Sequence, residues 1–300
     1  IPGDILMTAV GTIGKFWIVP NSKPFYYKDG NLVYIRTKEF NPLFLKKLLE
    51  MLIEKYKVEN ANGSAYTALT IEKLKDLQIV LPPMTLQKQY EEFHIQIDKS
   101  KFLLQQILEK FELLKKSRFI ELIGNIQNPK YQLVELNEIC EFIKDGTHQT
   151  PIYTEDRVNG FKFLSSKDVT SQKINWSNIK YIPKELHEQL YAKLSPKRGD
   201  ILLAKNGTTG VAAVVDSDEI FDIYVSLALL RPKSGVNVSY LCSALNSEDL
   251  KRQFNSSLKG IGVPNLHLRE IKKARIIFPP IDIQNKISSI TKFTLVVKHE

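Results

Sequence analysis

Apolar residues recur along the chain with two different periods, and the change of period marks out its elements. From about Thr85 to Ile123, positions Phe93, Ile97, Ser100, Leu104, Ile107, Phe111 and Leu114 step alternately by four and three, and all but Ser100 are apolar. Lys, Glu and Gln fill most of the places between, with no Gly or Pro. A seam of that spacing predicts one long helix packed on another. At ~1.5 Å per residue, ~38 residues span ~57 Å. The stretch from Ile281 to Lys298 opens the same way over fewer repeats, so the two are expected to pair antiparallel as a coiled coil.

Elsewhere the runs are short. GDILMTAVGTIGKFWIV (Gly3 to Val19) and GDILLAKNGTTGVAAVV (Gly199 to Val215) set apolar and β-branched residues on both sides of glycines. Each reads as strand, glycine turn, strand. NPLFLKKLLEMLIEKY (Asn41 to Tyr56) has helical spacing with Asn41 as N-cap, and VSYLCSALNSEDLKRQF (Val238 to Phe254) is its counterpart. IVLPP and RIIFPP read as short strands, each ended by a proline pair.

These segments form an internal repeat. Gly3, Asp4, Ile5, Leu6, Gly11, Thr12 and Gly14 recur at Gly199, Asp200, Ile201, Leu202, Gly207, Thr208 and Gly210, an offset of 196. Leu69, Pro82, Pro83 and Gln87 recur at Leu266, Pro279, Pro280 and Gln284, an offset of 197. Two blocks in the same order at nearly the same offset indicate a duplication. The second copy opens near Tyr131, so about 65 residues of the first copy are expected to be absent. The division that follows is 1–83 for the rear of a first globular domain, 84–125 for a spacer helix, 131–280 for a second globular domain and 281–300 for the start of a second spacer. The polar stretch around Pro129 serves as the boundary.

Composition adds little to this picture. The content is 43% hydrophobic and 25% charged, as in ordinary globular proteins. The net charge of +9 suits a polyanionic partner, yet only eight of the 42 basic residues are Arg, so a plain compositional bias explains the charge equally well. No run of 18 apolar residues exists to cross a membrane, and no signal peptide is visible. Cys140 and Cys242 lack CxxC spacing and are expected to be buried free thiols of a cytoplasmic protein.

The order of segments is informative. A globular unit is followed by LPP with Gln87 close behind, then by a seamed helix. A second unit then opens with Leu133, Asn137 and Ile139, a DGTH-x-TP loop (Asp145 to Pro151), KDV (Lys167 to Val169) and GDIL. This order resembles the specificity subunit of Type I restriction–modification enzymes over essentially the whole chain. The resemblance implies an α+β protein with two β-rich target-recognition domains, separated by long helices that form an antiparallel coiled coil. It also implies a non-catalytic subunit without cofactors. Such a subunit reads the two halves of a split site on double-stranded DNA for methyltransferase (M) and restriction (R) subunits.

Within that reading the loop Lys144, Thr147, His148, Gln149 and Thr150 mixes donors, acceptors and a methyl group, as discrimination of base edges requires. A self-bonded structural turn is the competing explanation. The hairpin tip offers Lys205, Asn206, Thr208 and Thr209, where the glycines shape the turn. Lys167 reads equally as a phosphate contact or as a solvated lysine, and Lys259 and Asn265 flank a Gly-rich loop whose first-copy equivalent holds Ser64, Tyr66 and Thr67. Catalytic signals are missing. LPPM and FPPI lack the polar and aromatic flanks of an adenine methyltransferase motif, AVGTIGKF departs from a phosphate loop at Ala9 and Phe16, and the five His show no metal-ligand spacing. The recognition region of a single-chain restriction–methylation enzyme and a coiled-coil adaptor remain as alternatives, and self-association of the chain stays open.

Overall fold

The computed structural model describes residues 1–27, 30–59, 69–207, 209–257 and 265–297. The chain divides into two compact units, Ile1–Ile107 and Leu108–Glu300. In the first, β1 (Ile5–Thr8) is central to a three-stranded antiparallel sheet, flanked by β2 (Phe16–Ile18) and β3 (Leu32–Ile35). The hairpin between β1 and β2 needs its glycines. Gly14 has φ +80°, and a Cβ there would lie 2.7 Å from Ile53, so both the backbone and the packing exclude a side chain. Helix α1 (Pro42–Glu59) buries Leu45, Leu49 and Ile53, spaced by four, against Ile5 and Met7 of β1. A short helix α2 (Ile71–Lys75) follows, its N-cap Thr70 accepting from Lys73 N–H.

Helix α3 (Met84–Ile123) runs 40 residues, in line with the seam. Its seam side chains face solvent: Phe93, Leu104, Ile107 and Leu114 are exposed, while Ile97 and Phe111 are half-buried. The C-terminal end is drawn into a core, where Phe119 stacks on Tyr240 and Ile123 is buried.

The second unit repeats the plan of the first and extends it. Its strands of three residues or more are β4 (Leu133–Glu135), β5 (Cys140–Asp145), β6 (Phe161–Leu164), β7 (Lys180–Ile182), β8 (Ile201–Ala204), β9 (Ala212–Val214), β10 (Phe221–Ile223), β11 (Leu227–Pro232) and β12 (Arg275–Ile277), with helix α4 (Lys184–Tyr191) between β7 and β8. One sheet has the order β9-β8-β11-β5 and is antiparallel; a second has β7-β6-β10, with β6 and β10 parallel. All four residues of β8 are fully buried. Ile201 and Leu203 face one core, Leu202 and Ala204 the other, because successive strand residues point to opposite sides. The central strand is therefore covered on both faces, which accounts for a continuous apolar run in place of alternation.

The helical stretch from Val238 to Phe254 is broken into α5 (Val238–Leu245) and α6 (Glu248–Ser257). At the break, Asn246 turns its amide onto the backbone of β9, accepting from Ala212 N–H at 3.1 Å and donating to Ala212 carbonyl at 2.9 Å. Helix α7 (Leu268–Lys273) precedes β12, and α8 (Ile281–Val297) follows it. Rather than opening as a free rod, α8 packs on α5 and buries Gln284 and Ile287.

The two proline-ended segments differ. Arg275–Ile277 pairs with β4, but Ile79–Leu81 is extended without a ladder, and Val80 is exposed. The expectation of a strand at IVLPP is thus corrected: a strand exists only by pairing, and the described residues of the first unit supply no equivalent of β4.

A candidate nucleic-acid interface

Strand β5 ends where the DGTH loop begins, and the loop passes from one sheet to the other. Gly146 N–H donates to Leu227 carbonyl at 3.3 Å, Thr147 N–H to Ile223 carbonyl at 3.0 Å, and Val225 N–H returns a bond to Thr147 carbonyl at 2.9 Å. Position 146 admits only Gly, since a Cβ would sit 2.2 Å from the Ile223 carbonyl oxygen. Thr147 Oγ1 then accepts from Gln149 N–H at 3.2 Å, a local turn that leaves the outer side chains outward. His148 is 76% exposed, Gln149 and Thr150 are exposed, and so is Lys144. The structural turn and the exposed edge are the same object.

The hairpin tip after β8 meets this loop from the side. Lys205, expected as a surface cation, is 4% exposed and its ammonium pairs with the Asp145 carboxylate. That expectation is corrected. Just past the end of β8, the backbone of Lys205 donates to Ser226 carbonyl at 2.8 Å and accepts from Leu266 N–H at 3.1 Å, while the side chain is turned inward. A buried pair of this kind costs desolvation and is strongly destabilised when one partner is lost, so it fastens the tip to the root of the loop. Thr209 is also turned to structure, donating to Lys205 carbonyl at 3.2 Å. Asn206 is half-buried.

A third segment joins them. Ser166 N–H donates to Ser226 Oγ at 3.0 Å, and a Cβ on Gly207 would come within 3.9 Å of Ser166 Oγ. The 3-10 turn Ser166–Asp168 therefore lies beside the hairpin tip and carries Lys167 exposed at its centre. Asn265, next to the Leu266 that bonds Lys205, comes to the same place. The carboxamide oxygens of Asn206 and Asn265 are both enclosed without a hydrogen-bond partner among the described residues. Thr208, Lys259, Ser64, Tyr66 and Thr67 lie outside the described residues.

Sequence reasoning missed the support beneath the loop. His187 of α4 and Asp222 of β10 are buried together, with His187 Nδ1 2.7 Å from Asp222 Oδ2. The Phe161 ring stacks on the imidazole at 3.7 Å. Burial pushes the Asp222 carboxyl above its usual range, against the opposing pull of His187. Asp222 precedes the Ile223 whose carbonyl anchors Thr147, so the pair braces the strand that holds the loop. A lone Asp in the apolar strand FDI was the available signal. Its partner stands 35 residues away, with no periodicity to link them. A cavity of about 260 Å³ lies behind the loop, between Thr147, His148, Lys193 and Asp222.

Other chemistry is sparse. Among the described residues no three His, Cys, Asp or Glu side chains are grouped to hold a metal ion. Cys140 and Cys242 are free and buried, and burial pushes both thiols up to about 12. Among the described residues no helix is long and apolar enough to cross a membrane.

Comparison with known proteins agrees with this arrangement. The family model described as Type I restriction modification DNA specificity domain matches residues 2–113 and again 128–293. A solved chain concerned with complex assembly and conformational transition of the type I R-M system is similar at 18% identity and TM-score 0.67, over 99% of this chain and 75% of that one. The Type-I restriction-modification S subunit from M. genitalium is similar at 15% identity and TM-score 0.55, over 99% and 78% respectively. At these identities the likeness to solved structures speaks to the fold. No curated protein matches the chain in sequence. With the family model covering both repeats and a duplicated α+β plan beneath it, the chain belongs to the Type I restriction–modification DNA specificity family, as a DNA-recognition subunit rather than an enzyme.

Proposed function

We propose that the chain reads a split DNA site, with the second unit recognising one half through the ledge formed by Lys144, Thr147, His148, Gln149 and Thr150. One observation carries this reading. The loop, the Lys167 turn and the tip around Asn206 converge at one end of the unit, tied by the Lys205–Asp145 pair and by Ser226. Exposed His148 and Gln149 offer donors and acceptors of the kind that discriminate base edges in the major groove. Lys144 and Lys167 flank them as phosphate contacts that add affinity without sequence preference. Asn265, Thr208 and Lys259 are further contacts in this reading. Ser64, Tyr66 and Thr67 serve the other half-site.

Double-stranded DNA is the ligand, and the M and R subunits act on what the chain selects. The stretches 84–125 and 281–300 act as spacers between recognition domains 1–83 and 131–280. The exposed stripe of α3 receives a helix, from an M subunit, from a paired spacer or from a second copy of this chain. The site of action is the cytoplasm, where the DNA is.

The test is selection from a random duplex pool by the chain together with its M subunit. Enrichment of a fixed half-site, or of two at constant spacing, supports the reading. Salt-sensitive binding without enrichment refutes it.

A further inference from the structure

Two glutamines stand apart from the DNA-facing ledge and share three equivalent hydrogen bonds. Gln87 is fully buried and Gln284 is 1% exposed. Each lies in the first turn of a long helix, α3 or α8, with its N–H on the carbonyl of Pro83 at 3.2 Å or of Pro280 at 3.1 Å. Gln87 Nε2 donates to Pro82 carbonyl at 2.9 Å and to Glu39 carbonyl at 3.2 Å, and its Oε1 accepts Asn41 N–H at 2.7 Å. Gln284 Nε2 donates to Pro279 carbonyl at 2.8 Å, and its Oε1 accepts Asn237 N–H at 2.9 Å.

Both asparagines are themselves helix caps. Asn41 Oδ1 accepts from Leu43 N–H at 3.0 Å and Phe44 N–H at 3.1 Å, and Asn237 Oδ1 from Tyr240 N–H at 2.9 Å. Each also sends its amide across to the long helix, Asn41 to Glu91 Oε2 and Asn237 to Asn285 Oδ1, both at 2.7 Å. The start of each long helix is therefore attached to the proline-ended segment before it and to the N-terminus of a domain helix. Attachment points that do not fall on one line constrain tilt and roll together. A buried amide bonded in this way is costly to misplace, because another helix angle leaves its donors and the facing carbonyls unpaired in a dry site. An apolar residue would fill the space without that angular preference.

The lever is long. Helix α3 has 40 residues, ~60 Å at ~1.5 Å per residue, so a change of about 3° at its base moves the far end by about 3.4 Å, one base-pair step. We infer that Gln87 and Gln284 are positioning residues that set the angle at which each spacer helix leaves its recognition domain, and through it the half-site separation accepted. The angle stands on the geometry above; its consequence for separation rests on the split-site reading.

The angle is measured without DNA. Nitroxide labels at Lys55→Cys on α1 and Lys101→Cys on α3, both exposed positions, are placed in the full chain with Cys140 and Cys242 changed to Ala. Their distance distribution is expected to be narrow. Gln87→Met keeps the length but neither donates nor accepts through oxygen, and is expected to broaden or shift it. A folded variant with an unchanged distribution overturns the inference. If Gln87→Met does not fold, Gln87→Glu carries the test: it still accepts from Asn41 but has no N–H for Pro82, and an unchanged distribution there overturns the inference equally. The same variants are then bound to duplexes with fixed half-sites and graded spacers. Discrimination between adjacent spacings is expected to fall about fivefold, the worth of one ordinary hydrogen bond, with the half-site sequences unchanged. Broadened distances with unaltered spacing preference overturn the link to spacing. If the unsubstituted chain selects no paired half-sites, the split-site reading fails while the angle result stands.

Discussion

Arg231 holds the carboxylate of Asp200 with two hydrogen bonds, Nε to Oδ1 and Nη2 to Oδ2, both at 2.8 Å. The first unit repeats the grip, Arg36 on Asp4 at 2.9 and 2.8 Å. In each the aspartate of the GDIL block is nearly closed off, at 1% and 3% exposure, so the end of the neighbouring strand of the same sheet is clamped to the strand that opens the hairpin. Asp200 also accepts Lys197 N–H at 2.9 Å.

Removing Arg231 strands a buried carboxylate. Arg231→Ala is expected to cost about 3 kcal/mol, read as a lowered thermal midpoint, and Arg231→Lys to restore little because it cannot make the paired contact. Arg36→Ala is expected to cost less, since that side chain is 51% exposed. Equal, negligible losses in both variants would remove the clamp from the stability of the fold.

The same contact sets a pH dependence. The Arg36 guanidinium, with help from the Tyr34 hydroxyl, holds the Asp4 carboxyl well below the usual carboxylate range. A depressed folded value means stability present above the unfolded pKa of about 3.9 and lost as pH falls through the folded one. The melting advantage of the natural chain over Asp4→Asn should therefore be full near neutrality and shrink below about pH 4. A pH-independent difference would contradict this.

Two kinds of lysine should separate cleanly. Lys205→Met breaks the pair with Asp145 and is expected to lower stability by about 3 kcal/mol, with base preference weakened as the loop loosens. Lys167→Ala should leave the melting midpoint unmoved and reduce the salt slope of DNA binding by about 0.9. The reverse pattern would place Lys205 on phosphate.

Replacing His148 and Gln149 together with Ala should leave the fold intact, as both are exposed, with stability shifts within about 0.5 kcal/mol. The preferred base at the contacted positions should lose about tenfold over its competitors. Unchanged preference in a binding titration would remove the loop from recognition.

Leu104 and Ile107 are exposed on α3, so changing both to Asp should leave helix content and melting of the chain nearly as they were. Association through the stripe, followed by sedimentation, should be lost. A collapse of helix content would mean that the stripe is already covered within the chain.

Much was legible in order and spacing. The offset of 196 predicts matching hairpins, and Gly11 and Gly14 at φ +74° and +80° reappear as Gly207 and Gly210 at +70° and +83°. The unbroken seam predicts α3, and the DGTH loop does emerge as an exposed edge. These are local matters: a glycine requirement, a period, a repeat. Lys205 is the contrary case, since a lysine beside an Asn-Gly turn reads as solvent-facing until its carboxylate partner is known.

By itself the sequence determined the duplication and the order of most of the elements, and it offered the candidate residues for DNA. Period, turn chemistry and repetition act between near neighbours in the chain and need no knowledge of the rest. Only the tertiary structure decided which of those residues face outward, that Ile79–Leu81 finds no strand to pair with, that His187 and Asp222 brace the loop, and that two glutamines tie the long helices down. Each depends on burial and on hydrogen-bond partners many residues apart, and burial belongs to the packed chain rather than to any segment of it.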